Sequence, residues 1–169
     1  MNHFFDMDGT MAVYERWVYE TDGTYPWYAK IRNTHYYQTV KPYDSIVRQV
    51  RGMLQSDPGS VYVITSVGVP EEAFFYECVS DKIRWVQSHL PELPPDHFFV
   101  MRGRSPKGAK ETKSTIAAKL LGRPLNKQDI LYDDFNPNLE DWRDAGGTPV
   151  KVLNGINSSR KDMKSLYIR

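Results

Sequence analysis

The chain has 169 residues, 40% of them apolar, with 22 basic and 21 acidic side chains and a net charge of +1. That apolar share excludes a disordered chain, and the length suits one domain with a single core. The near-neutral balance gives no broad field for duplex nucleic acid or an anionic membrane, and no apolar run approaches the roughly 20 residues that span a bilayer.

The elements alternate along the chain. His3-Phe4-Phe5 reads as a buried strand, with no secretion signal around it: Met1-Asn2-His3 leads directly to two aspartates. Residues 11–43 then break the rhythm. They are dense in Tyr and Trp (Tyr14, Trp17, Tyr19, Tyr25, Trp27, Tyr28, Tyr36, Tyr37) and too long for a connection, so they read as an insertion folding over one edge of a sheet. Residues 44–54 put Ile46, Val47, Val50, Met53 and Leu54 on one helical face, with Asp44 or Ser45 as cap. Val61-Tyr62-Val63-Ile64 is the second strand, and 80–90 a helix through Ile83, Val86 and Leu90 that Pro91 ends. Cys78 has no partner for an internal disulfide, which makes a reducing, cytoplasmic setting the expectation. Phe98-Phe99-Val100-Met101 follows as a strand, then a helix over 112–121 stopped by Gly122 and Pro124. Ile130-Leu131-Tyr132, a helix from Leu139 to Ala145 and Val150-Lys151-Val152-Leu153 complete the alternation, which predicts an α/β sandwich around a mostly parallel, five-stranded sheet. Ser158 to Arg169 is polar and basic, a docked terminal helix or a loose tail.

Ligands of open α/β sheets bind at the carboxyl ends of the strands. Here those ends are Asp6-Met7-Asp8-Gly9-Thr10, Thr65-Ser66 and Asp133-Asp134. A strand period of two sends Asp6 and Asp8 to the same side. If the fourth strand lies beside the first, Asp133 and Asp134 join them, and so many carboxylates at one mouth require a cation. Hard oxygen ligands point to Mg²⁺, and Mg²⁺ beside a hydroxyl and a lysine suggests phosphoryl chemistry. His3, His35, His89 and His97 lack zinc-ligand spacing, and neither a Gly-x-Ser-x-Gly elbow nor a phosphate-binding loop ending in Gly-Lys-Ser/Thr is present.

These motifs resemble those of the haloacid dehalogenase superfamily of phosphohydrolases. The first is Phe4-Phe5-Asp6-Met7-Asp8-Gly9-Thr10, the second Val61-Tyr62-Val63-Ile64-Thr65, the third a lysine near the start of a helix, and the fourth Ile130-Leu131-Tyr132-Asp133-Asp134. The run from Asp133 to Trp142 further resembles small bacterial and phage members near the 5′(3′)-deoxyribonucleotidases. The resemblance implies a three-layer, Rossmann-like core over 1–169 with a small cap at about 11–43. It implies Asp6 as nucleophile, Asp8 as general acid and base, and Thr65 as a donor to the phosphoryl group. Mg²⁺ would be held by the carboxylates of Asp6 and Asp133 and the backbone carbonyl of Asp8, with Asp134 in support. Lys107, Lys110, Lys113 and Lys119 lie in range of the third motif. Lys113, at the start of its helix, is preferred and Lys110 is the runner-up. The basic run Arg102, Arg104, Lys107, Lys110, Lys113 is either an exposed face or a lure for a nucleotide's phosphates.

The activity so implied is a Mg²⁺-dependent phosphatase of a small phosphorylated metabolite, a nucleoside 5′- or 3′-monophosphate first, through an aspartyl-phosphate. The rings of 11–43 are expected to form the insertion's own core, with at least one touching the substrate. The alternatives are a phosphatase of sugar phosphates or nucleic-acid ends, and a non-enzymatic metal- or phosphate-responsive module. Asp8 speaks against the last, because a residue in that place serves turnover.

Overall fold

Short β-branched and aromatic runs bounded by Gly, Pro, Asp and Asn form the strands. The computed structural model describes residues 1–103 and 111–168. The strands are β1 (Asn2–Phe5), β2 (Val61–Val67), β3 (Phe98–Arg102), β4 (Asp129–Asp133), β5 (Thr148–Leu153) and β6 (Lys164–Tyr167). They make one sheet in the order β3-β2-β1-β4-β5-β6, parallel at every pairing. The helices are α1 (Arg16–Tyr19) and α2 (Tyr36–Thr39), both single turns, then α3 (Asp44–Ser56), α4 (Glu72–His89), α5 (Lys113–Leu121) and α6 (Asn136–Asp144). None of the helices is long and apolar enough to cross a membrane, among the described residues.

The period of two in β1 sorts its side chains into two cores. Phe5 joins Val61 and Val63 of β2 with buried residues of α3 and α4, among them Ile46, Val50 and Trp85. Phe4 joins Ile64 and Leu131 with Ala117 of α5 and Trp142 of α6. The sheet therefore has α3 and α4 on one face and α5 and α6 on the other, the α/β sandwich that the alternation predicts, in three layers. α5 is fixed at both ends. Thr112 caps it through a reciprocal pair with Thr115, at 3.3 and 2.8 Å, and Gly122 closes it at φ +63°.

Three details differ from the sequence reading. The sheet has six strands, because Lys164–Tyr167 pairs with β5 where a helix or a loose tail was expected. This edge strand buries too little to show an apolar run. α4 begins at Glu72 rather than near residue 80, and α6 at Asn136 rather than Leu139. The first half of α4 carries buried Phe74, Phe75 and Cys78, and α2 packs against this helix as well. Apolar residues needed on two sides blur the single stripe that marks an amphipathic helix.

Residues 11–43 are closed at their base by two backbone bonds: Val13 N donates to Lys41 O (2.8 Å) and Tyr43 N to Met11 O (2.7 Å). Trp85 of α4 donates its indole N–H to Val40 O at 2.8 Å, which anchors the far end of the insertion on the α4 layer.

Candidate active site

β1 lies between β2 and β4, and the chain runs outward from it in both directions. Loops leaving the carboxyl ends of β1 and β4 therefore diverge and open a crevice. It holds a cleft of about 410 Å³, bordered by Asp6, Asp8, Lys113, Asp134 and Asn138, and by rings of the insertion.

On the α5 side of the crevice, Asp6, Asp133 and Asp134 bring carboxylate oxygens within 4.8 Å of one another. Lys113 stands in the first turn of α5, buried, with its Nζ 2.5 Å from Asp6 Oδ1 and 2.7 Å from Asp133 Oδ2. Asp133 is held further by Phe135 N on Oδ1 (2.7 Å) and Asn138 Nδ2 on Oδ2 (2.9 Å). Asn154 Nδ2 donates to Asp134 Oδ2 (3.1 Å) and to Gly9 O (3.0 Å), tying the fourth motif to the first. Gly9 is required there. Its φ is +79°, and a Cβ would sit 2.3 Å from Asp134 Oδ2. Lys151 donates to the backbone carbonyl of Asp134 and to Asn136 Oδ1 rather than to these carboxylates, and its charge partly offsets that of Asp134.

Among the described residues, Lys113 is the only cation hydrogen-bonded to these three carboxylates. The imbalance shows in their proton affinities. Burial, with Asp133 and Asp8 nearby and Lys113 opposing, pushes the Asp6 carboxyl up to about 7. Burial followed by Asp133 and Asp6 raises Asp134 well above the usual carboxylate range. Desolvation alone would lower Lys113, but Asp133 and Asp6 outweigh it and raise its pKa. Converging hard oxygen donors with excess negative charge suit a divalent cation such as Mg²⁺.

Asp8 behaves differently. β1 ends at Phe5, and Met7 O accepts the amides of Thr10, Met11 and Ala12, so the backbone is already turning at Asp8. The strand period no longer applies, and Asp6 and Asp8 do not share a direction. The carboxylate of Asp8 reaches the α4 side, where Lys82 Nζ lies 2.6 Å from its Oδ2. Lys82 also donates to Thr65 Oγ1 at 2.9 Å and lies over the Tyr37 ring, 4.4 Å from its centroid. Sequence reasoning missed Lys82. It sits between Asp81 and Ile83 in a mixed helix, and only its tertiary position distinguishes it from a solvated lysine.

The structure thus brings Asp6, Asp133, Asp134 and Lys113 into one network and Asp8, Thr65 and Lys82 into a second, both at the crevice. Thr65 is fully buried inside β2, and its neighbour Ser66 borders the cleft. Lys119 is exposed on α5. Lys107, Lys110 and Arg104 lie outside the described residues, and Arg102 stacks its guanidinium over Phe75 at 4.1 Å. The insertion contributes Tyr14, Tyr19, Trp27 and Tyr37 to the cleft wall. Tyr14 stacks on Tyr19 at 4.5 Å and Tyr19 meets Trp27 at 5.1 Å, so the rings pack with one another and face the cleft as well. Trp17 and Tyr25 are exposed.

No family model and no curated protein matches this chain. Solved structures do. D,D-heptose 1,7-bisphosphate phosphatase from B. bronchiseptica, complexed with magnesium and phosphate, aligns over 98% of this chain and 92% of its own, at 14% identity and a TM-score of 0.61. A family IA, variant 3 HAD hydrolase from Entamoeba histolytica aligns over 98% and 92%, at 13% identity and 0.59. A HAD-superfamily hydrolase from Ehrlichia chaffeensis aligns over 98% and 90%, at 9% identity and 0.56. At these identities the likeness is one of architecture, and it covers nearly the whole chain: the protein is built on the fold of the haloacid dehalogenase superfamily hydrolases.

Proposed function

We propose that this protein is a Mg²⁺-dependent phosphatase of small phosphomonoesters, working through a phosphoryl group carried on Asp6. The observation that carries the reading is the division of the carboxylates at one crevice. Asp6 and Asp133 share one ammonium with Asp134 beside them, while Asp8 stands apart on a cation of its own. The fold of known phosphohydrolases supports the same reading.

Asp6, Asp133 and the backbone carbonyl of Asp8 would hold Mg²⁺, with Asp134 in support. When bound, the ion supplies a positive charge that offsets the carboxylates and the phosphoryl oxygens. Lys113 fixes Asp6 through Oδ1. An Asp6 oxygen attacks phosphorus, the bond from phosphorus to the leaving oxygen breaks, and Asp8 gives that oxygen its proton. Water then attacks the phosphoryl group on Asp6 and yields a proton to Asp8. The bond between phosphorus and Asp6 breaks, orthophosphate leaves, and both aspartates return to their starting state. At the end of β2, Ser66 borders the cleft and Thr65 shares Lys82 with Asp8, and Thr65 is assigned the phosphoryl contact.

We assign a nucleoside 5′- or 3′-monophosphate as the substrate class, on the aromatic wall of Tyr14, Tyr19, Trp27 and Tyr37. A base stacked there would contribute on the order of 1–3 kcal/mol. Residues 11–43 act in this reading as a small cap that excludes water. The lone, buried thiol of Cys78, pushed up to about 12 by burial and then by Asp81 and Glu77, supports a reducing, cytoplasmic setting.

The test is phosphate release from nucleoside monophosphates, sugar phosphates and 5′- or 3′-phosphorylated oligonucleotides, with Mg²⁺ and with chelator. The expected result is metal-dependent turnover that Asp6→Asn abolishes, with mononucleotides ranked first. Turnover that survives in Asp6→Asn would sink the mechanism. A preference for sugar phosphates or oligonucleotide ends would sink the substrate assignment alone.

A further inference from the structure

Lys82 is 0% exposed, in the interior of α4, and the fold surrounds its ammonium completely. A lysine ammonium has three N–H donors. One goes to Asp8 Oδ2 (2.6 Å) and one to Thr65 Oγ1 (2.9 Å), and the Tyr37 ring covers the remaining side at 4.4 Å. Met7 Sδ lies 3.8 Å away and adds only a weak acceptor. No donor is left for a substrate. A hydrophobic residue of similar length would fill the space without the cost of desolvating a charge. Whatever Lys82 does, it does through Asp8 and Thr65.

We propose that Lys82 is the positioning residue for proton transfer by Asp8, an assignment that rests on the phosphatase reading above. Asp8 has two chemically equivalent oxygens on a side chain that is 23% exposed and sits in a turn. The bond from Lys82 to Oδ2 ends that equivalence. Oδ1 becomes the oxygen that carries a proton to the leaving group and later takes one from water. The second bond acts on β2. Because Thr65 Oγ1 accepts from Lys82, its own hydroxyl proton must point elsewhere, and the hydroxyl is set as a donor. One ammonium thereby fixes a group from each of the first two motifs. Tyr37 adds the insertion to this arrangement, since the ring that shields Lys82 comes from α2 and also borders the cleft. Seating of the insertion and alignment of Asp8 are one packing event.

The experiment compares two phosphoryl donors in single turnovers with Mg²⁺. An alkyl ester (a nucleoside 5′-monophosphate) needs its leaving oxygen protonated, and p-nitrophenyl phosphate does not. Lys82→Met is expected to slow transfer from the alkyl ester on the order of 100-fold and from the aryl ester by less than about 10-fold, the pattern of a displaced general acid. In an Asp8→Asn background, adding Lys82→Met should cost no more than the aryl-ester loss, less than about 10-fold, because only the Thr65 contact is then left to lose. Equal loss on both esters would overturn the assignment, as would a Lys82→Met penalty as large in Asp8→Asn as in the wild type. If Lys82→Met alone does not fold, Asp8→Asn/Lys82→Met leaves no orphan charge, and its comparison with Asp8→Asn decides the question. A wild-type protein without metal-dependent turnover on either ester would overturn the phosphatase reading and this assignment with it. An active wild type with uniform loss overturns this assignment alone.

Discussion

Two buried lysines flank β1, one from each helical layer, and they stand in opposite electrostatic situations. Lys113, from α5, serves two carboxylates directly and a third nearby. Lys82, from α4, serves one carboxylate, a hydroxyl and an aromatic face. The first neighbourhood carries excess negative charge among the described residues and raises the proton affinity of Asp6 and Asp134. The second is balanced, one to one. The α5 side therefore suits a divalent cation, while the α4 side is balanced without one. The same division separates the proposed phosphoryl acceptor, Asp6, from the proposed proton carrier, Asp8.

The largest expected effect comes from removing each lysine in turn. Lys113→Met leaves buried carboxylates without their ammonium and should cost about 3–5 kcal/mol of metal-free stability, with part recovered on adding Mg²⁺. Lys82→Met strands only Asp8, which can rehydrate at the cleft, and should cost about 1–3 kcal/mol with no recovery specific to Mg²⁺. Denaturant melts with and without Mg²⁺ check both. Equal costs with equal recovery would erase the distinction between the two neighbourhoods.

A second effect is carried by pH. Burial pushes the Asp6 carboxyl up to about 7 from an ordinary 3.8, and Asp134 shifts the same way. Between those values the folded state binds the extra proton, so metal-free stability should fall as pH rises from about 4 to about 7, on the order of a few kcal/mol. Mg²⁺ competes with those protons and should flatten the slope. Thermal melts across this range, with chelator and with Mg²⁺, measure it. A metal-free stability that rises with pH over the window contradicts the charge imbalance. The smallest effect is Asp134→Asn. The amide oxygen can still accept from Asn154 while one negative charge is removed, so metal-free stability should gain about 1 kcal/mol, or roughly 2–4 °C in Tm, as Mg²⁺ affinity falls.

The α5 neighbourhood was legible in the sequence because its aspartates end apolar runs and its lysine opens a helix. Phe4-Phe5 precedes Asp6, Ile130-Leu131-Tyr132 precedes Asp133, and Lys113 opens a helix whose stop is marked by Gly122 and Pro124. Position along an element was enough to place the aspartates, and the resemblance singled out a lysine at a helix start. The α4 neighbourhood was not legible, because Lys82 lies in a helix interior and its meaning depends on which residues α4 faces. The direction of Asp8 was misread for a related reason: the strand ends one residue before Asp6, and a turn has no side-chain period. The sixth strand and the early start of α4 depend on partners distant in sequence, Val150–Leu153 for one and the insertion for the other.

The most direct test of the central division is to find which aspartate carries the phosphoryl group. Rapid acid quench of the protein turning over p-nitrophenyl phosphate, followed by borohydride, converts an acyl phosphate of aspartate to homoserine at that position. Peptide mass spectrometry should find homoserine at position 6 alone, with Asp8, Asp133 and Asp134 intact. Homoserine at position 8, or at either residue of the fourth motif, would contradict the assignment of the nucleophile to the Lys113 side.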